Sequence, residues 1–430
     1  MLNILNLMLS GFLMNILGQP PKSLDPIPLV SWETSTIFDL PTQSDPTVEA
    51  MVKSYLKNLS ALGLGSQNQR VWLETEWAEL ANQGGTVPTS AASLTKVATT
   101  LASIETWPLD HRFETRIYHT GNLVNGLIEG DLIVEGTGDP MFVWEEAIAV
   151  AHALTKAGIR QVKGNLIITG QFAMNFKTDP QIAGELFKQG INSNQWSSVV
   201  ESQYAKLPNG TIRPQIAIAR KVLTTAQLPK NAKLLLRHQS LTLAELLKQM
   251  NLYSNNVMSE MLAELVGGHE VVRQIMIKTA KVSPDEIQLV NGSGLSVDNR
   301  ISPRAVCQIF QALEQKLGTK QMSVTDLFPV GGRDKDGTIH QRQIPYGVAI
   351  KTGTLAQVSA LAGMIPTKER GKVWFAILNS GGNIDGFRHQ QDQLLKQLSN
   401  HWELTPTLTP ISPVSQVFLG DPNRNINVQN

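Results

Sequence analysis

Cysteine is almost missing: one thiol, Cys307, stands in 430 residues. A single thiol excludes an intrachain disulfide and a cysteine-rich structural zinc site. It lies in "SPRAVCQIFQALEQKL", an amphipathic helical pattern, and reads as a small buried hydrophobe. Aromatic residues make up 6% of the chain, charged residues 17%, and the formal net charge is +1. No basic run interleaved with aromatics occurs, so nucleic acid finds no electrostatic footprint here. Charge is absent from the first 21 residues, "MLNILNLMLSGFLMNILGQPP". An apolar stretch of that length reads as a signal peptide or an N-terminal anchor. No Lys or Arg precedes it, no A-x-A site follows, and Asn3, Asn6, Ser10 and Asn15 interrupt it. Export is the expectation, with membrane association through residues 1–18; cleavage is left open.

What is present is enough for two domains. Residues 22–45 are rich in Pro, Ser, Thr and Asp and read as a linker, and "PTVEAMVKSYLKNLSALG" follows as an amphipathic helix. "VWLETEWAELANQGG" (71–85) reads as strand, turn, strand. Leu94, Val97, Leu101 and Ile104 then recur at helical spacing in a segment apolar on nearly every side, which predicts a central helix. From 111 to 175 the chain alternates like paired strands around Gly-rich turns, with one helix, "EEAIAVAHALTKAGI". Residues 176–235 are polar and irregular. Helical periodicity returns at "TLAELLKQM", where Thr242 and Glu245 have capping-box spacing. "YGVAIKTGT", "VSALAGMIP" and "KVWFAILNS" predict an antiparallel meander, closed by the helix "GFRHQQDQLLKQLSNHWE". The 71–85 hairpin is expected to join that meander in one sheet. Residues 404–430, rich in Pro, Thr and Asn, are expected to form a flexible tail.

Chemistry concentrates in three short stretches. "SAASLTKVATT" puts Ser93 and Lys96 one helical turn apart, where residues three apart share a face. A serine hydroxyl is a weak nucleophile until a base lies within hydrogen-bond reach, and a buried lysine losing its charge can be that base. "YSNNVMSEML" supplies Ser254 and Asn256 as Ser-x-Asn, and "AIKTGTLAQVSA" supplies Lys351, Thr352, Gly353 and Thr354 at a strand end. Ser54 with Lys57 repeats the first pattern on a charged surface helix, and Ser66 to Asn68 repeats the second. Only the set beginning at Ser93 has the order helix, loop, strand. Each stretch alone is a structural commonplace; the three in order form a recognised catalytic signature.

With these motifs the chain resembles the low-molecular-mass class C penicillin-binding proteins, the D-Ala-D-Ala carboxypeptidase/endopeptidase family of serine peptidases. The resemblance runs from residue 70 to residue 400. It includes "FETRIYHTGNLVNGLIEGDLIVEGTGDP", "NGSGLSVDNRISP" and "FPVGGRDKDGTIHQR". It departs at Asn291, where the family usually has Asp. The interval between Ser93 and Ser254 also exceeds a compact β-lactamase's and falls short of the largest members'. The implied architecture is α+β: a β-lactamase/transpeptidase-like domain, an antiparallel sheet with helices, from 46–109 and 236–403, carrying an inserted smaller lobe at 110–235.

The resemblance implies a serine DD-peptidase of the cell envelope or periplasm, cleaving D-Ala-D-X bonds of peptidoglycan stem peptides and acylated by β-lactam antibiotics. Ser93 would attack, Lys96 would take its proton and Ser254 would pass a proton to the leaving amine. Asn256 would hold the substrate amide, and Lys351 would lower the pKa of Lys96. Thr352, Gly353 and Thr354 would bind an extended peptide and its carboxylate, with the backbone N–H groups of Ser93 and Thr354 as oxyanion hole. The alternatives are a β-lactamase or a non-catalytic envelope binding protein. Against the first, Glu286 to Asn291 has the wrong spacing for a class A Glu-x-x-x-Asn loop. Against the second stands the intact Ser-Lys pair. No cofactor or metal is expected: "HEVVR" has Arg273 where a zinc motif needs its second His, and "DKDG" lacks the other calcium ligands. Carboxypeptidase and endopeptidase action cleave the same bond type, so both stay open.

Overall fold

The computed structural model describes residues 44–405 and 418–428. The expected N-terminal segment and nearly all of the linker lie outside them. Asp45 begins the first helix, α1 (Pro46–Ala61), its carboxylate accepting from Thr47 N at 3.0 Å and Val48 N at 3.3 Å. Val48, Val52, Tyr55 and Leu59 form its buried stripe, while Ser54 and Lys57 face solvent. Strands β1 (Gln69–Glu74) and β2 (Glu79–Gln83) follow, and then α2 (Thr95–Thr106), buried from Thr95 through Ile104.

The insert supplies β3 (Arg112–His119), β4 (Leu132–Thr137), α3 (Trp144–Lys156), β5 (Leu166–Gln171), α4 (Pro180–Gly190), β6 (Val222–Thr224) and β7 (Lys233–Thr242). The chain then returns through α5 (Leu243–Tyr253), α6 (Asn256–Val266), α7 (His269–Thr279) and α8 (Pro303–Gly318). Strands β8 (Ala349–Leu355), β9 (Val358–Thr367) and β10 (Gly371–Ser380) lead into α9 (Ile384–His401), and β11 (Asn425–Asn427) comes last.

The first sheet has the order β8-β9-β10-β1-β2 and is antiparallel throughout. The hairpin therefore joins the meander in one sheet, with Val71 opposite Ile377 and Leu73 opposite Phe375. One face packs on α1 and α9 through Val48, Tyr55, Phe375 and Leu395. The other covers α2 and α8 through Val97, Leu101, Phe310 and Trp374. Helix α2 is apolar all round because it is enclosed by sheet and helices together. Cys307 is buried in the same cluster.

The second sheet has the order β6-β5-β4-β3-β7-β11, five strands from the residues between α2 and α5, expected as an insert, and β11 from the C-terminal segment. Strands β4 and β5 are parallel, which requires a crossover, and α3 supplies it. Its core holds Ile117, Val134, Val150, Ile168 and a trio of phenylalanines, Phe142, Phe172 and Phe187. Two expected boundaries need correction. Strand β7 continues past residue 235 and pairs with β3 as far as Thr242, so the insert's sheet runs into the N-cap of α5. No Gly or Pro interrupts "KLLLRHQSLT" to mark that junction. The expected tail is also partly ordered. Residues 425–427 add an antiparallel strand to β7, and Arg424 is buried against Glu146 at 2.5 Å. Residues 406–417 lie outside the described part.

Candidate active site

The Ser-Lys pair sits at the entrance to α2. Ser93 belongs to a 3-10 turn, Ala92–Leu94, that leads into the helix, and Ala92 before it has φ +46°. Lys96, one turn on, is fully buried and donates to three acceptors: Ser93 Oγ at 3.0 Å, Asn256 Oδ1 at 2.7 Å and the Ser293 carbonyl at 2.7 Å. Burial lowers its pKa to about 7, and the nearby carboxylate of Glu260 works in the opposite sense.

A second lysine holds the second serine. Lys351 Nζ donates to Ser254 Oγ at 2.8 Å and to the Thr352 carbonyl at 2.8 Å. Burial, then the charge of Lys96, pushes its pKa well below the usual lysine value. The expected repulsion between the lysines is thus felt at Lys351, while burial governs Lys96. Ser254 terminates α5 in the left-handed region, φ 53° and ψ 40°, a conformation that costs a non-glycine residue about 1–3 kcal/mol. Asn255 caps α6 by accepting from Met258 N at 3.1 Å, which leaves Asn256 free to face inward. Asn256 Oδ1, expected on a substrate amide, is engaged by Lys96.

Gly353 brings the Lys-Thr-Gly strand against the turn that carries Ser93. A Cβ built there would lie 3.0 Å from the Ala91 carbonyl and 3.1 Å from Ser93 N. The bare Cα is therefore needed for strand and turn to meet, in addition to the expected approach of substrate. Thr352 is buried and Thr354 exposed beside it. The structure thus gathers all eight expected site residues around one cleft. Ser54, Lys57 and Ser66 to Asn68 are left on the exposed surface.

Sequence reasoning missed the residues that hold Lys96 from behind. Glu260 accepts from Gly292 N at 2.9 Å and Ser293 N at 3.0 Å, presenting the Ser293 carbonyl to the lysine. Thr99 and Ser259, from α2 and α6, both donate to the Gly292 carbonyl at 2.7 Å. A signal was available: Glu260 follows Asn256 by four residues on one helix, so the two share a face. Asn291 Oδ1 accepts from Gly294 N at 2.9 Å and Asn299 Nδ2 at 2.7 Å, so one amide oxygen ties the two ends of this loop together. Glu286 is buried in an ion pair with Arg304 and accepts from Ser302, which takes it out of contention for activating water.

The chain matches the D-Ala-D-Ala carboxypeptidase 3 (S13) family over residues 66–181 and 181–400. The D-alanyl-D-alanine carboxypeptidase DacB of Haemophilus influenzae is 24% identical over 452 residues, covering 82% of this chain and 92% of that protein. A predatory endopeptidase of Bdellovibrio bacteriovorus, solved with an immunity protein, has a TM-score of 0.70 at 22% identity. It covers 83% of this chain and 99% of its own. A penicillin G-acylated predatory endopeptidase of the same organism has a TM-score of 0.69 at 20% identity, covering 84% and 99%. The solved structures share the fold. The family match spans all three motifs and most of the described residues, and on that ground the chain belongs to the D-Ala-D-Ala carboxypeptidase 3 (S13) family.

Proposed function

We propose that this protein is an exported serine DD-peptidase that cleaves D-Ala-D-X bonds in peptidoglycan stem peptides, through an acyl-enzyme on Ser93. The observation that carries the reading is the surroundings of Lys96. The Asn256 Oδ1 and Ser293 carbonyl oxygens can only accept, so a neutral lysine spends both N–H bonds on them. Its lone pair is then left for the remaining neighbour, the Ser93 hydroxyl at 3.0 Å. Ser93 Oγ attacks the scissile carbonyl as its proton passes to Lys96 Nζ. The N–H groups of Ser93 and Thr354 face the developing oxyanion. Collapse of the tetrahedral adduct breaks the C–N bond; Ser254, backed by Lys351, delivers its proton to the departing nitrogen, and the proton that Lys96 took passes on to Ser254, which leaves the lysine neutral again. Water then repeats the sequence on the ester, with Lys96 as its base.

A β-lactam presents the same amide in a strained ring whose leaving nitrogen stays attached, so it acylates Ser93 and clears slowly. Residues 1–21 fit export to the envelope by their apolar, uncharged composition; among the described residues no helix is long and apolar enough to cross a membrane. Mass spectrometry after penicillin exposure, with peptide mapping, tests the assignment. The adduct should fall on the peptide containing Ser93 and persist for minutes. An adduct on Ser254, or rapid multiple turnover, would overturn the peptidase mechanism.

A further inference from the structure

Beyond Thr354 the cleft continues into a polar pocket of about 320 Å³. Its walls include Thr352 and Thr354 from β8, Thr338, His340 and Arg342 from the preceding loop, and Arg388 from the first turns of α9. The two arginines differ. Arg342 is buried and held by Asp392 at 2.6 Å and Gln391 at 3.0 Å, so its charge is already matched. Arg388 is half-buried and donates to Thr354 Oγ1 at 3.2 Å. Its one carboxylate neighbour among the described residues is Asp385, 3.7 Å away and 95% exposed, an arrangement worth little in water. A guanidinium thus lines this pocket with its fork free of a firm anionic partner.

We propose that Arg388 is the specificity-determining cation for the carboxylate on the carbon next to the scissile nitrogen. Gly353 lies against Ser93 N, and Thr354 is one strand residue further, about 3.3 Å along β8. A carboxylate one residue beyond the scissile carbonyl therefore comes to the hydroxyl that Arg388 already holds. Because Arg388 donates to Thr354 Oγ1, the threonine proton is free to point at the carboxylate, and the remaining guanidinium N–H groups can reach it in parallel. The ligand class is any leaving amine with an adjacent carboxylate, whether free D-alanine or the D-centre of a cross-linked diamino acid. This rests on the DD-peptidase reading and adds the residue that selects the leaving group.

The test compares the full-length protein on an acylated Lys-D-Ala-D-Ala peptide and on the same peptide ending in D-alaninamide. The parent should prefer the free acid. Arg388→Gln keeps a donor for Thr354 but removes the charge; it should lower kcat/KM on the acid about 10- to 100-fold and leave the amide unchanged. Arg388→Lys should recover part of the preference. Equal losses on both peptides, or no loss on the acid, would overturn the assignment. Saturating penicillin separates this from the function itself. If Arg388→Gln still acylates on Ser93 while keeping the parent's preference for the acid, only the Arg388 proposal fails. If the parent cleaves neither peptide and takes no adduct, both fail.

Discussion

At the scale of single residues, the protonation state of Lys96 decides what the cleft can do. Its pKa of about 7, set by burial against the opposing pull of Glu260, puts the change of state near neutrality. In the proposed mechanism the reactive form is the neutral one, whose share grows as pH rises through about 7. Acylation by penicillin should therefore climb through that pH and level off above it, in stopped-flow or gel-based measurements. Lys96→Met removes the base and should cost ~10²–10⁴ in acylation rate. Lys96→Arg should be as inactive, because arginine keeps its proton. A Lys96→Met protein acylated at the parental rate would make the lysine structural. Glu260→Gln separates the two duties of the carboxylate. Without the negative charge the acid limb of the pH profile should move below its parental position. A purely structural Glu260 would lower the rate and leave that limb in place.

At the scale of elements, the cleft is a meeting of a turn, a strand end and a loop, and two glycines, Gly353 on the strand and Gly294 on the loop, set how closely these approach the turn. Gly353→Ala would press a methyl group to within 3.0–3.1 Å of Ala91, Ala92 and Ser93, so β8 must shift by tenths of an ångström. A full ångström of misplacement costs about 10²-fold in rate, so a shift of tenths should lower penicillin acylation by less than that, with little change in the unfolding midpoint. Gly294→Ala differs. Its φ is +82° and the new Cβ would stand 1.8 Å from the Ala92 carbonyl, so midpoint and acylation should fall together. A Gly294→Ala variant with parental stability would show that the loop can move away at no cost.

These elements were not equally legible in the sequence. Each motif is a contiguous stretch, so spacing alone puts Ser93 beside Lys96, and the short, nearly continuous apolar runs of the meander marked β8 to β10 as consecutive strands. Ser293 reaches Lys96, and Arg388 reaches Thr354, through contacts between segments far apart in the chain, which no local period encodes; for Glu260 only its i,i+4 relation to Asn256 was local. Strand β11 was missed because three residues, "NIN", carry no hydrophobic alternation; they hold by pairing with β7 and by the burial of Arg424 beside them.

At the scale of the whole molecule, the segment 418–428 fastens the insert after the catalytic fold is complete. Arg424 donates to Glu146 and to the Gln239 carbonyl, and His238 stands 3.3 Å from the other oxygen of Glu146. Removing one member of a buried pair leaves the other uncompensated, typically at a cost of about 3–5 kcal/mol. Arg424→Ala should show a loss of that order in chemical denaturation followed through the insert. A loss below about 1 kcal/mol would rank the contact with surface ion pairs.

The pairing of β7 with β11 also sets a clock on synthesis. His238 and Asn425 meet across 187 positions of sequence. At about 5–20 residues per second, the outer edge of β7 waits roughly 10–40 s for its partner. During that time the catalytic sheet can close, because β8 to β10 and α9 have already been made. The nascent insert meanwhile carries an open strand edge, the feature that invites pairing with other chains. Chains stalled on the ribosome just after α9 should be nicked by protease near β7, and chains extended past residue 428 should resist. The sheet begun at Arg112, about a quarter of the way along the chain, is thus the last to be sealed, and until then the edge of β7 is open to other chains.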